Sequence, residues 1–223
     1  MNEPAPALAL CGSNLGGDVP FSVALRLADG TVHGQQAPAG VRTELPALVD
    51  ALCAHVGIAP AALRELRLDT GPGSYTGLRV AVTFVRFLQH FGPVRVLGVD
   101  SLALLAARAR GASRIRPVLD ARRERFHTAL YTSGPVGAPL VASEAAAAVP
   151  FAEVLARLQS GDRCVVPAAV AAQHGAALQA RGAELVVARA LAADELFAAD
   201  LPLFVADAAA LEPRYLMGSY AED

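Results

Sequence analysis

The chain has 223 residues, of which 54% are hydrophobic and 18% are charged, and its formal net charge is −2. Its 19 lysine-plus-arginine positions are all arginine, so chemistry that needs a lysine, such as a P-loop or a Schiff base, is excluded. The near-neutral charge gives no strong field for binding nucleic acid unaided, and no apolar run approaches the roughly 18 residues of a membrane span. The three cysteines are widely spaced, which fits a reducing compartment better than a disulfide framework. We therefore expect a cytoplasmic protein without a membrane contact.

The N-terminal part of the chain predicts a β-meander followed by an amphipathic helix. The turn signal Asp29-Gly30 predicts a hairpin. The strands expected around it are Ala7–Leu10, Phe21–Leu27 and Thr31–Gln36. The helix is expected to begin near Thr43 and to end at Gly57, because apolar residues between them recur at helical spacing. This stripe consists of Leu45, Leu48, Val49, Leu52 and Val56.

The remaining chain alternates apolar runs with Gly and Pro breaks, which predicts mixed strands and helices. The further strands are expected at Leu63–Leu68, Val94–Val99, Arg116–Ala121, Phe126–Tyr131, Cys164–Val166 and Glu184–Val187. The further helices are expected at Thr76–Phe91, Ser101–Arg110, Phe151–Leu158, Val170–Arg181, Ala193–Ala199 and Leu201–Ala210. The pattern indicates an α/β protein of two lobes that divide near residue 110.

The glycine-rich segment from Gly71 to Arg79 carries the most information. Glycines permit positive φ and the close approach of another backbone, and Ser74 or Thr76 can cap the helix that follows. A helix N-terminus can also hold an anion. The residues alone leave three interpretations open: a well-capped turn, a contact with an anion or nucleotide, or close approach by another subunit. The candidate anion contacts are Gly71, Gly73, Ser74, Thr76 and Gly77.

Several motifs resemble the bacterial TsaB (YeaZ) family. The segment GPGSYTGLRVAVTFVRFL, followed by VLGVDSLALLA, is similar to the family's GPGSFTGLR, apolar helix and GVSSLEAL. Weaker matches follow the family's order along the chain. They are Phe21–Leu25 to its SVAL strand, Thr43–Leu48 to its helix start, Leu119–Arg123 to its DARRGEVY hairpin and Glu212–Leu216 to its terminal P-x-YLR.

The resemblance implies a two-lobed actin/hexokinase-like (ASKHA, ribonuclease H-like) α/β fold with mixed sheets and helices. The N-terminal lobe, 1–110, would carry the helices that pair with a partner. The C-terminal lobe would span 111–223, and its last helix could pack back on the first lobe.

The resemblance also implies a non-catalytic scaffold and activating subunit of the complex that makes threonylcarbamoyladenosine in tRNA. The expected partners are a TsaD-type catalytic subunit and a TsaE-type ATPase, with a homodimer when the chain is alone. Contact with tRNA is expected only through the complex. No intrinsic cofactor or metal is expected, and ATP with Mg²⁺ at the complex interface is left open.

The pairing surface of the family comes mainly from its first two helices, which correspond here to Thr43–Val56 and Thr76–Phe91. The second helix is apolar over more than one face, so one face can pack on the sheet while another meets a partner. The expected interface residues are Leu45, Leu48, Val49, Leu52, Thr76, Arg79, Val82, Val85, Arg86 and Gln89.

One position departs from the family pattern, and it bears on catalysis. Cys11 stands where the family usually has an aspartate at the end of the first strand. A cysteine cannot replace a hard carboxylate ligand of Mg²⁺, so ATP hydrolysis by the chain alone is not expected. The five histidines also lack helical metal-ligand spacing. The alternatives are a divergent paralogue acting as an interaction protein, or a hydrolase, peptidase or ATPase of the same fold.

Overall fold

A computed structural model describes residues 5–14, 21–38, 44–90, 92–135, 138–207 and 209–217. The chain forms two compact units. The first unit consists of Met1–Val99, Leu191–Ala198 and Leu203–Pro213, and the second of Asp100–Ala190, Ala199–Pro202 and Arg214–Asp223. The chain thus enters the second unit at Asp100, where the sequence prediction had placed the division near residue 110.

The first unit contains a six-stranded mixed sheet. Its strands are β1 (Ala7–Cys11), β2 (Ser22–Arg26), β3 (Val32–Gln36), β4 (Glu65–Asp69), β5 (Arg95–Val99) and β11 (Phe204–Ala206). The order across the sheet is β11-β5-β4-β1-β2-β3, with β1, β4 and β5 parallel to one another and the other strands antiparallel to their neighbours. The carboxyl ends of β1 and β4 therefore lie side by side, which is where the glycine-rich segment begins.

Two helices pack on this sheet, α1 (Leu45–Val56) and α2 (Tyr75–His90). The apolar stripe of α1 is buried against strand residues such as Leu8, Leu10 and Leu66, as its spacing predicts. Gly57 ends α1 in the left-handed conformation, with φ 73, which confirms the predicted stop. Thr43, where the first helix was expected to begin, and Phe91, where the second was expected to end, lie outside the described residues.

The second unit contains a five-stranded sheet in the order β10-β9-β6-β7-β8. These strands are β6 (Ile115–Arg122), β7 (Arg125–Thr132), β8 (Val141–Pro150), β9 (Arg163–Pro167) and β10 (Glu184–Ala188). Its helices are α3 (Ser101–Ala106), α4 (Phe151–Arg157) and α5 (Ala168–Ala180). Asp100 caps α3 by accepting a hydrogen bond from the Leu102 N–H at 2.7 Å.

Two alanine-rich segments depart from the sequence prediction. The helix predicted at Leu201–Ala210 is wrong, because Phe204–Ala206 within it form the edge strand β11 beside β5. Residues 141–150, for which no strand was predicted, form β8 along β7. Alanine favours helices in isolation, but cross-strand pairing overrides that preference here. The segment predicted as a helix at Ala193–Ala199 is a 3₁₀ helix, Ala193–Phe197. No helix in the described parts of the chain is long and apolar enough to cross a membrane.

Candidate functional site

The glycine-rich turn joins β4 to α2 and lies against the loop that follows β1. A Cβ added to Gly73 would lie 2.2 Å from the Ser13 carbonyl oxygen, and one added to Gly77 would lie 2.1 Å from the Gly12 oxygen. The Ser74 N–H donates to the same Ser13 oxygen at 2.9 Å. These two glycines therefore allow two segments of one chain to approach closely. The third interpretation from the sequence, approach by another subunit, stays a prediction.

Ser74 caps α2. Its hydroxyl oxygen accepts a hydrogen bond from the Gly77 N–H at 3.2 Å. Gly71 has φ 98, a conformation that favours glycine. Thr76 is exposed on the first turn of the helix instead of capping it. Because the Ser74 and Gly77 amides both bond within the chain, the structure supports the well-capped turn; contact with an anion or nucleotide stays a prediction.

Asp69, the last residue of β4, holds this region together from inside. Its carboxylate accepts hydrogen bonds from the Gly12 N–H at 2.9 Å and the Ser13 N–H at 3.0 Å, and the Cys11 thiol donates to it at 3.4 Å. The side chain is completely buried, and burial raises the pKa of Asp69 despite these donors. Burial and the neighbouring carboxylate also raise the pKa of Cys11 well above its usual value, so the thiol stays protonated.

Cys11 was identified from the sequence, whereas Asp69 was not. The carboxylate that the family resemblance places at the end of β1 is absent there, yet one lies beside the same spot on the neighbouring strand β4. A signal for it was present, since Asp69 ends the apolar strand just before the most distinctive turn of the chain. The structure points this carboxylate at backbone amides of its own chain.

The inner faces of α1 and α2 contain most of the predicted interface residues. Six of these side chains are at most 4% exposed and belong to the core of the first unit: Leu45, Leu48, Val49, Leu52, Val82 and Val85. The expectation that they meet a partner is corrected, because the sheet already covers them. Their apolar character is explained by the core alone.

The outer faces of the two helices form a separate surface. On α2 the residues Thr76, Val80, Thr83 and Phe87 follow one another at helical spacing, and all four are exposed, Phe87 to 57%. On α1 the exposed residues Ala47, Ala51 and Ala54 repeat in the same way. The two helices contact each other. We call these seven residues the outer helix face.

The remaining predicted interface residues lie around this face. Arg79 is exposed, donates to the Tyr75 hydroxyl at 2.7 Å and stacks over the Tyr75 ring. Arg86 donates to the Leu211 carbonyl at 2.6 Å and lies 3.8 Å from the Glu212 carboxylate. Gln89 is half-buried near the end of α2. Thr76 and Arg79 are thus the predicted residues most open to a partner.

The matches in the second unit have structural roles. Arg214 of the terminal motif pairs with Asp100, the residue that caps α3. The hairpin between β6 and β7 turns through Arg122, Arg123 and Glu124, all with positive φ. Glu124 occupies the place where the similar family hairpin has glycine. Within the described residues, no group of three or more His, Cys, Asp or Glu side chains could hold a metal ion.

Solved structures show the class of fold. The chain matches YeaZ from Pseudomonas aeruginosa with a TM-score of 0.74 and 22% identity, covering 96% of this chain and 100% of that one. A second solved structure, described as similar to the peptidase YeaZ from Pseudomonas aeruginosa, matches with a TM-score of 0.72 and 24% identity, over 96% of this chain and 100% of that one. The predicted fold class, α/β and ASKHA-like with mixed sheets, is confirmed.

Sequence comparisons define the family. The family model described as TsaD: tRNA N6-adenosine threonylcarbamoyltransferase matches residues 28–155, more than half of the chain. The chain belongs to this family. The TsaB protein of tRNA threonylcarbamoyladenosine biosynthesis from Bacillus subtilis is 39% identical over 84 residues, and the match spans 37% of this chain and 37% of that relative. Together with the YeaZ structures, this match confirms the resemblance to the TsaB (YeaZ) group.

Proposed function

We propose that this chain is a partner-binding subunit in the biosynthesis of threonylcarbamoyladenosine in tRNA. In this role it pairs with a TsaD-type catalytic subunit and has no catalytic site of its own. The family match and the name of the Bacillus subtilis relative support the pathway. The observation that carries the partner-binding role is the outer helix face, which exposes apolar side chains on two adjacent helices.

The buried end of β4 supports a structural role for the one carboxylate found there. Asp69 is fully buried and accepts hydrogen bonds from two backbone amides. A carboxylate used as a general base or a metal ligand has to reach a substrate or an ion, and this one bonds to its own chain. The glycine turn is likewise filled by Gly12 and Ser13 of the chain itself.

The outer helix face has the properties of a helix-docking surface. Val80 and Phe87 provide apolar side chains, and the alanines of α1 let another helix approach closely. The basic residue Arg79 lies beside them, where a partner carboxylate can meet it. In the proposed assembly this face meets the TsaD-type subunit, or a second copy when the chain is alone. The TsaE-type ATPase, ATP with Mg²⁺ and the tRNA join through the complex, in the cytoplasm.

A pair of valines on α2 tests the proposal. Val80 is 37% exposed and Val82 is 2% exposed. Val80→Asp should leave the fold intact and weaken binding to the TsaD-type protein of the same organism by about tenfold or more, because it places a charge in an apolar interface. Val82→Asp should instead unfold the first unit, because it buries an unpaired charge. Circular dichroism measures folding, and co-purification with calorimetry measures binding.

The proposal is contradicted if Val80→Asp and the parent chain bind the TsaD-type protein equally, or if neither binds it. Retained self-association without such binding would favour the interaction protein outside tRNA modification. Adding the chain to the TsaD-type and TsaE-type proteins should raise tRNA modification, and the Val80→Asp variant should not. ATP turnover by the isolated chain would contradict the absence of a catalytic site.

A further inference from the structure

An open apolar cleft lies at the far end of α2, next to the start of β4 and β5. Its volume is about 370 Å³, within the range of roughly 300–1,000 Å³ typical of ligand pockets. Apart from one arginine, the described residues that line it have apolar side chains or, at Gly92, none. The lining residues are Pro60, Ala61, Leu63, Arg64, Leu66, Phe87, Leu88, Gly92 and Val94.

Arg64 is the charged group of this cleft, and its guanidinium is held in place. Nη1 donates to the Ala61 carbonyl oxygen at 2.7 Å and to the Leu63 carbonyl oxygen at 2.9 Å. Both acceptors belong to, or directly follow, the 3₁₀ helix Pro60–Ala62. Two acceptors use the two protons of Nη1, so the Nε and Nη2 edge of the guanidinium is left for a further acceptor.

No carboxylate among the described residues pairs with Arg64, although most arginines of the first unit have one. The carboxylate of Glu65, for example, lies 3.3 Å from the Arg26 guanidinium, 2.8 Å from that of Arg67 and 3.8 Å from that of Arg95. Arg64 therefore adds an unneutralised positive charge to the wall of an apolar cleft. A planar carboxylate fits the Nε and Nη2 edge with two parallel hydrogen bonds.

We infer that this cleft binds the carboxyl-terminal residue of a partner protein, one with a large apolar side chain. A terminal residue carries its side chain and its carboxylate on the same Cα. It can therefore place the side chain between Phe87 and Leu88 while the carboxylate meets Arg64. An internal acidic residue would have to bring an apolar neighbour and two flanking chains into a cleft of about 370 Å³. The cleft is thus matched in size and charge to a chain end.

The probe is a fluorescein-labelled pentapeptide, Gly-Ser-Gly-Ser-Leu with a free carboxylate, titrated with the full chain and followed by fluorescence anisotropy. We expect saturable binding with a dissociation constant below about 1 mM. The same peptide with an amidated C-terminus should bind about tenfold or more weakly, because it loses a charge-assisted bidentate contact. Arg64→Gln should cause a similar loss, and Arg64→Lys should recover part of it, since lysine restores the charge without the planar fork.

Matched variants separate this cleft from other surfaces. Phe87→Ala, at a position 57% exposed, should weaken the peptide without unfolding the chain. Arg122→Gln removes another exposed arginine, in the second unit, and should leave peptide binding unchanged. Phe87 belongs to both the outer helix face and the cleft, so it cannot separate them. Val80 and Arg64 can, because each lies on one surface alone. Val80→Asp should weaken pairing and leave peptide binding unchanged, and Arg64→Gln should do the opposite.

Equal binding of the free and amidated peptides, or full binding to Arg64→Gln, would overturn the inference. Equal binding of a peptide with an internal Leu-Glu pair and an amidated end would overturn the preference for a chain end. Octanoate that competes as strongly as the peptide would assign the cleft to small amphiphiles instead. Loss of peptide binding on self-association, seen by sedimentation, would assign it to a second copy of this chain.

Discussion

Replacing Asp69 with alanine tests whether its carboxylate holds the first unit together. Asp69→Ala leaves the Gly12 and Ser13 N–H groups without their acceptor. Each unpaired buried donor costs about 1–3 kcal/mol, which gives about 2–6 kcal/mol for the two. Burial raises the pKa of Asp69, so the charge itself is costly in the folded state and its removal offsets part of the loss. We therefore expect a loss of about 2–4 kcal/mol, against a total stability of about 5–15 kcal/mol.

Urea unfolding measures this loss, and two further variants rank it. Asp69→Asn keeps one acceptor oxygen but turns an NH₂ group toward the other amide, so its loss should lie between those of Asp69→Ala and the parent. Asp50→Ala removes an exposed carboxylate on α1 and should change stability by less than about 0.5 kcal/mol. Because the two units can unfold in separate transitions, hydrogen exchange at Gly12 and Ser13 locates the effect.

The reasoning is refuted if Asp69→Ala unfolds at the same urea concentration as Asp50→Ala. Equal losses for Asp69→Ala and Asp69→Asn would refute it too, because the two variants leave different numbers of amides without an acceptor. Unchanged exchange at Gly12 and Ser13 would have the same meaning. Any of these results would mean that the close packing of the glycine turn, rather than the carboxylate, fixes the β1 loop.

Three further predictions concern the turns and the second sheet. Glu124→Gly should stabilise the protein by about 0.5–1 kcal/mol in thermal unfolding, because Glu124 has φ 59, a conformation that glycine adopts without strain. Glu124→Ala keeps a Cβ in that conformation and should give no gain in stability. Gly77→Ala should lower the free energy of unfolding by at least about 1–3 kcal/mol, because its Cβ would lie 2.1 Å from the Gly12 oxygen. Gly92→Ala should be tolerated in the same assay, because among the described residues beyond its chain neighbours no atom lies within 4 Å of the added Cβ. Burial lowers the pKa of His127 from 6.5 to about 4, so the folded state binds fewer protons than the unfolded state between these values. Stability should therefore fall as the pH drops from 6.5 toward 4, and urea titrations of His127→Gln should show a smaller fall.

Where a segment had a clear period or a strong turn, the sequence predicted the fold. The apolar stripe of α1 and the glycine that ends it, Gly57, are examples. Burial of one helix face requires apolar residues at helical spacing, and that spacing is visible in the sequence. Strand β8 has no clear hydrophobic period, since its alanines are compatible with either helix or strand. Segment 204–206 becomes a strand only because the edge of β5 is available to it, and pairing with a distant segment leaves no local signal.

The candidate site was predicted in part. Helical spacing located α1 and α2, yet it could not tell which apolar residues face the sheet of the same chain and which face outward. Val82 and Val80 illustrate this, because they are two positions apart with similar side chains and only the structure separates 2% from 37% exposure. Asp69 was missed because its role depends on amides 56 and 57 positions away in the sequence.

The alanines on the outer side of α1 set how near another helix can come. Helices that meet through methyl groups can lie about 8 Å apart, at the short end of the usual 8–10 Å range of interaxial distances. At that separation, an aromatic side chain in place of one of these alanines would occupy the volume of the partner helix backbone. Ala51 is exposed, so enlarging it changes little inside the unit. If this face pairs as proposed, a single substitution at Ala51 would change which partner helix fits without changing the stability of the fold.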